Sequence, residues 1–509
     1  MKKIYILLIV IVFFFGGYLY INSSIGREDS FIQIIKLKIP KKLKTNLKET
    51  LFVFKNQELL KSELADREKE VLETIYMLSL PNKDKRDILH RLWSQVKKFE
   101  QTPDRYTKLG EILNKIGVIQ FNQNKKIEEF KIENNNYLLR KFKTDVLLVG
   151  KNFSAIGSSY IEYDNNKLFL ASATGIFGYV DINELNNKKF NMTIIPTNIG
   201  DLVNHKDFYY FSSFGIKDLL IHQNKIYVSY SNEIKKDCFN ISILVSDLSL
   251  IGLKFEDFFT PKTCIDKYGK NITYEHHQSG GRMFPFKNEQ ILFSLGDHEF
   301  GHFAQEQSNL FGKIIAIDIN TKKLKIISIG HRNAQGLYYD ENENIIFSTE
   351  HGPQGGDEIN INILLDAKIK NYGWPVSSYG EHYGFTVRDD KHPKYIKEPL
   401  YKSHEDYGFI EPVKYFVPSI GISEIIKIPS NFNGISKIQY FVGSMGWDLK
   451  EGHNRAIHLF QFSEDYEILK HNVIPVNERI RDMIYVQEVN KVFLFFETTA
   501  SIGILKAQN

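Results

Sequence analysis

Six short segments recur along the chain: NKLFLAS, NKIYVSY, EQILFSL, ENIIFST, IQYFVGS and NKVFLFF. Most place a turn-forming polar pair before an aromatic or β-branched run, and they centre on Phe169, Tyr227, Leu292, Ile346, Phe441 and Phe493. The intervals between centres are 58, 65, 54, 95 and 52 residues. GLYYDENENIIFST and DMIYVQEVNKVFLFF carry a second apolar run across the turn, the pattern of a β-hairpin. Six such copies, spaced widely enough for further strands, predict an all-β fold, a six-bladed β-propeller over residues 136–509. A β-sandwich has no need of six similar units. The long fourth interval predicts an insertion around Tyr379 to Tyr407, in the fourth-to-fifth connection.

The 509 residues carry a net charge of only +4, but the total conceals an asymmetry. Residues 1–26 sum to +2, residues 27–126 to +8 and the remainder to −6. Ile4 to Ile21 is uncharged behind Lys2 and Lys3, long enough to cross a bilayer as a helix and longer than the usual core of a cleaved signal. Residues 1–24 are therefore expected to be a transmembrane signal anchor, making the chain a single-pass membrane protein with its bulk on the periplasmic side. Residues 25–135 are expected to form a basic, mainly helical extension, from helical spacing such as Ile88, Leu89, Leu92, Trp93, Val96 and Phe99. The two cysteines, Cys238 and Cys264, exclude a disulfide-dense scaffold and leave two readings, one disulfide in an exported domain or two buried thiols. The mildly acidic body argues against nucleic acid as a partner.

In a propeller, ligands sit where polar side chains from several inner strands converge, so functional residues should precede the repeat centres at similar offsets. His277 and Arg282 precede Leu292, Arg332 and Asn333 precede Ile346, and Arg479 and Arg481 precede Phe493. The stretch GHRNAQGLYYDENENIIFSTEHGPQGGDEINI, followed by NYGWP, is the densest in chemistry. Its turn at Gly352-Pro353 can present backbone carbonyls, hard ligands suited to calcium. An arginine fork suits a carboxylate or quinone. A blade-to-blade structural loop is the alternative reading of the same residues.

GHRNAQGL, STEHGPQGGDEIN and NYGWP, supported by HHQSGGRM, VPSIGIS and ERIRDM, resemble the signature of the glucose/sorbosone dehydrogenases. These are aldose sugar dehydrogenases that use pyrroloquinoline quinone (PQQ) and are built on six-bladed propellers. The resemblance runs from about Ser154 to the C-terminus and implies oxidation of an aldose to its lactone, with PQQ and Ca2+ as cofactors. It implies that His277 is the general base on the anomeric hydroxyl, a task for which an imidazole is suited near neutral pH. Arg332, as a catalytic and cofactor-binding residue, and Asn333 would contact the quinone, and Arg479 and Arg481 would clamp the cofactor's carboxylates. Gly352 and Pro353 would hold a calcium through their carbonyls, Glu358 and Tyr372 a second, structural one, and Trp374 would help to wall the region. The sequence departs from the pattern at Gly446, where a lysine is expected, at His276, where an acid often stands, and at Ser213, where a glutamine is expected. A propeller of the same descent that has lost productive cofactor binding is the alternative function. A calcium-dependent lactonase would need a carboxylate and Asn cage that the sequence does not single out.

Overall fold

The computed structural model describes residues 117–508 apart from 145–146, 148–156, 204, 210–211, 269–275, 367, 386 and 447–453. All six repeat centres fall on the second strand of a four-stranded antiparallel sheet. These second strands are Lys167–Ser172, Lys225–Lys235, Gln290–Leu295, Ile345–Glu350, Ile438–Ser444 and Lys491–Phe496. Each has neighbours on both sides and apolar layers above and below, and Phe169, Tyr227, Leu292, Ile346, Phe441 and Phe493 are all buried. That double burial explains why they read as continuous apolar runs.

The innermost strands are Ser159–Asp164, Ile216–His222, Gly280–Phe286, Ala334–Asp340, Ile422–Ile428 and Ile480–Val486. Each packs against the inner strands of the two neighbouring sheets, and the sixth returns to the first, so the sheets close a ring. The sixth sheet is completed by Asn135–Lys143, which pairs with Ser501–Gln508 from Lys143 opposite Ser501 to Asn136 opposite Gln508. An early and a late strand thus fasten the ring to itself, as in a propeller-like architecture. Val118–Gln123 bridges this sheet to the first one, and Cys238 and Cys264 are bonded to each other beside the edge of the second.

Three expectations need correction. Strands begin at Val118 and include Glu128–Ile132, so the sheet starts before residue 136 and the end of the segment expected to be helical is strand. Alternating apolar residues, with Ile119 and Phe121 buried between exposed neighbours, give these residues a strand period and not a helical one. The insertion is an excursion within the fourth sheet: its fourth strand, Lys414–Phe416, pairs with Asp357–Ile363 only after the chain has passed through residues 379–407. Finally, the reading as a single-pass membrane protein is not upheld. Among the described residues no helix is long and apolar enough to cross a membrane. The span expected at Ile4 to Ile21 and the helices expected over residues 25–116 lie outside the described residues.

Candidate functional site

Five of the six inner strands break register against their neighbour near their start, at Ile216/Asp218, Gly280/Met283, Ala334/Gly336, Ile422/Ile425 and Ile480/Asp482. A bulge re-aims a side chain that regular pairing would point into a sheet face. The residues at these breaks are Lys217, Arg282, Gln335, Glu424 and Arg481, polar groups that would be misplaced in an ordinary alternating strand.

Arg282 occupies the centre of this set. Its Nη1 lies 2.9 Å from Asp218 Oδ1, 2.8 Å from Glu424 Oε2 and 2.8 Å from Asp482 Oδ1. Its Nε donates to Gln335 O at 2.7 Å and its Nη2 to Arg481 O at 2.6 Å, and the guanidinium sits 5.2 Å from the Tyr160 ring centroid. One side chain of the third sheet therefore touches all five others. Burial pushes Asp218 up to about 7 and Glu424 up to about 8 although Arg282 pulls both down. Burial, then Asp482 and Asp218, holds Glu162 well above the ordinary carboxylate range. Carboxyls raised on folding keep protons that the unfolded chain releases above about pH 4. Their contribution is present below that value and is lost as pH rises through about 7 to 8. Urea denaturation from pH 5 to 8.5 should accordingly show Glu162→Gln gaining stability relative to the native chain as pH rises.

Arg332 and Asn333 precede the fourth inner strand. The Arg332 N–H donates to Glu350 Oε1, and Glu350 Oε2 is 2.9 Å from His331 Nδ1. Arg332 Nη1 donates to the carbonyls of His351 at 2.9 Å and Gly352 at 2.6 Å. The guanidinium lies 5.3 Å from the Trp374 ring and 5.8 Å from that of Tyr383. Its Nε is buried and has no hydrogen-bond partner among the described residues. Trp374 is itself fixed by Nε1 donating to Asp297 Oδ2 at 2.7 Å.

Asn333 is joined to Arg481 through Gln335. Arg481 Nη1 donates to Gln335 Oε1 at 3.1 Å, Gln335 Nε2 to Asn333 Oδ1 at 3.0 Å, and the Gly280 N–H to the same Asn333 oxygen at 3.1 Å. Arg479 and Arg481 converge on Glu497, a carboxylate with no exposure: Arg479 Nε and Arg481 Nε donate to its two oxygens at 2.7 Å each. Arg332, Arg481 and Arg479 all act on the half-buried His351 ring, which desolvation first, and these cations after it, hold at about 4 despite Asp357. The structure thus gathers Arg332, Asn333, Arg479 and Arg481 at the start of the inner strands.

His277 and His276 part company. His276 is wholly buried, its ring 5.2 Å from that of Phe214 and 4.9 Å from that of His298. His277 is exposed, with Nδ1 3.7 Å from Glu299 Oε1. The His277 backbone leads into Gly280, whose N–H is held by Asn333. Of the departures, Ser213 presents its carbonyl to Lys217 Nζ at 2.5 Å, and Gly446 accepts from Arg455 Nε at 3.0 Å, so a cation just ahead of the next strand reaches the position where a lysine was expected.

The quinone and the calcium ions fare differently against these residues. A buried guanidinium with an unpartnered Nε, two further arginines and an amide are donors suited to an oxygen-rich anion. The Gly352 carbonyl already takes an Arg332 N–H, and Ser419 Oγ donates to Pro353 O at 3.4 Å. A cation at that turn would face the guanidinium, so the residues as placed do not fit calcium. Among the described residues no group of three or more His, Cys, Asp or Glu is placed to hold a metal.

A closed ring of six antiparallel sheets, with arginines gathered where the inner strands begin, defines a propeller-like all-β protein with an anion-receptive mouth. The family model for Glucose / Sorbosone dehydrogenase matches residues 200–501, and the chain belongs to that family. Among its relatives are the aldose sugar dehydrogenase YliI of Escherichia coli, 33% identical over 162 residues, and quinoprotein glucose dehydrogenase B of Acinetobacter calcoaceticus, 29% identical over 296. The alignments cover 29% and 44% of this chain and 40% and 60% of those proteins, so this chain spans about half the length of the curated relatives it matches. The crystal structure of the soluble aldose sugar dehydrogenase from Escherichia coli in its apo-form superimposes with a TM-score of 0.51 at 20% identity. It covers 69% of this chain and 95% of that one, which establishes the shared fold.

Proposed function

We propose that this protein is a PQQ-dependent sugar dehydrogenase oxidising an aldose to its lactone. The observation that carries the reading is the buried Arg332 guanidinium, flanked by Trp374 and Tyr383, with its Nε unpartnered. Arg332 and Asn333 would hold the quinone, with Arg479 and Arg481 facing its carboxylates. When bound, PQQ supplies a two-electron acceptor for hydride.

The chain's own residues do the rest. Arg332 is held by two carbonyls and by Glu350 at its backbone, and its charge would stabilise negative charge developing on the acceptor's oxygens. His277, exposed and beside Glu299, would take the proton of the anomeric hydroxyl at a ring nitrogen, and the Glu299 carboxylate would stabilise the resulting imidazolium. Calcium has no assigned step.

The test is dye reduction by the full chain with added PQQ across a panel of aldoses. His277→Ala and Arg332→Ala should each lower turnover by about 100-fold or more, and Arg332→Ala should also weaken PQQ binding measured by fluorescence quenching. Absence of PQQ binding at micromolar cofactor would overturn the reading in favour of a non-catalytic propeller.

A further inference from the structure

The two groups that the resemblance assigns to a second calcium, Glu358 and Tyr372, are brought together by the fold, but a third group stands between them. His404 Nδ1 is 2.9 Å from the Tyr372 carbonyl oxygen and its Nε2 is 3.3 Å from Glu358 Oε1. The three residues are all buried. A backbone carbonyl accepts only, and so does an ionised carboxylate. The imidazole hydrogen-bonds the carbonyl through Nδ1 and faces the carboxylate across a buried Nε2 that makes no hydrogen bond among the described residues, so the ring stands between the two oxygens a cation would bridge.

The ring is held from every side. It stacks on Tyr379 with centroids 5.5 Å apart, and Tyr379 in turn stacks on Tyr415 at 3.7 Å. Glu411 accepts from the His404 N–H at 2.7 Å, from the Glu405 N–H at 2.9 Å and from Tyr379 Oη at 2.8 Å. Gly373, at φ +86°, leaves the room: a Cβ there would lie 3.0 Å from His404 Nδ1. The space remaining around Glu350, Glu358 and Tyr372 is about 10 Å³, the lower limit for a single water. Calcium requires six to eight oxygens at about 2.3–2.6 Å, and here its carbonyl and its carboxylate are both engaged by one ring.

We infer that His404, delivered by the excursion within the fourth sheet, takes the place of the second calcium, so that this position is held by a side chain and is free of metal. The chain places its own side chain where the resemblance implies a dissociable ion. Unlike a bound ion, the tethered ring cannot be removed by a chelator or diluted away.

The test needs neither quinone nor sugar, so its outcome is separate from that of the proposed activity. Calcium chloride is titrated calorimetrically into the full chain after chelator treatment. Glu358→Gln should leave the number of calcium ions bound per chain unchanged. His404→Ala should gain one calcium per chain, and the gain should vanish in the double variant with Glu358→Gln. Imidazole should raise the melting temperature of chelator-treated His404→Ala and leave that of the native chain unmoved, as expected for a ligand that binds only the folded variant. Loss of one bound calcium from the native chain on Glu358→Gln would overturn the inference, and this arm decides the matter even where His404→Ala fails to fold.

Discussion

Arg282→Met should destabilise the protein by about 3–5 kcal/mol at pH 8, the cost of removing one partner from a buried ion pair. The expectation follows from position. Arg282 bonds Asp218, Glu424 and Asp482 and lies against Tyr160, so its loss leaves carboxylates from three sheets facing one another across the ring. Because burial already holds Asp218 at about 7 and Glu424 at about 8, the uncompensated acids can take up protons as pH falls. The penalty should therefore shrink between pH 8 and pH 5.5, whereas that of an arginine paired only with ordinary surface acids stays constant over this range. Arg282→Lys keeps a charge but not the planar fork, and should recover part of the loss. Urea denaturation of the three proteins at both pH values measures all of this. A loss below about 1 kcal/mol at pH 8 would show that the carboxylates do not depend on this guanidinium.

The repeat was legible because second strands are apolar on both faces, and their centres needed no knowledge of pairing. The inner strands were not legible, since the register breaks place Lys217, Arg282, Gln335, Glu424 and Arg481 where an alternating pattern calls for apolar residues. A bulge changes which face a residue takes without changing composition, so only coordinates reveal it. Lys414–Phe416 has three residues and left no strand signal, which is why the sequence does not show that the excursion falls ahead of the fourth sheet's last strand. At the site, Arg332, Asn333, Arg479 and Arg481 were recognisable from motif and offset. Their partners were not. Glu497 sits in the turn directly after the last repeat strand, and His404 lies in an excursion with no counterpart in the motifs, so nothing in the one-dimensional pattern ties either to its partner.

Glu497→Gln should have two opposite effects, a loss of stability of about 3–5 kcal/mol and a gain in affinity for anions. Glu497 is wholly buried and receives Arg479 Nε, Arg481 Nε and Nη2, and Ser158 Oγ. One carboxylate thus faces two guanidinium groups. Glutamine offers one acceptor and turns an amide donor toward a guanidinium, so the pair is left partly unpaired in a buried place. Burial raises the native carboxyl, but Arg481 and Arg479 outweigh it and hold it below its usual value. Its contribution is present above the unfolded value of about 4.5 and is lost as pH falls through the lower folded one. The variant should therefore have a flatter acid limb in a plot of stability against pH. Citrate, a tricarboxylate, should raise the melting temperature of Glu497→Gln more than that of the native chain, and the excess should disappear when Arg481→Gln is added. Equal shifts in the native and variant proteins would mean that Arg479 and Arg481 are committed to the sixth sheet's own stability and present no charge to a ligand, whatever the fate of Arg332.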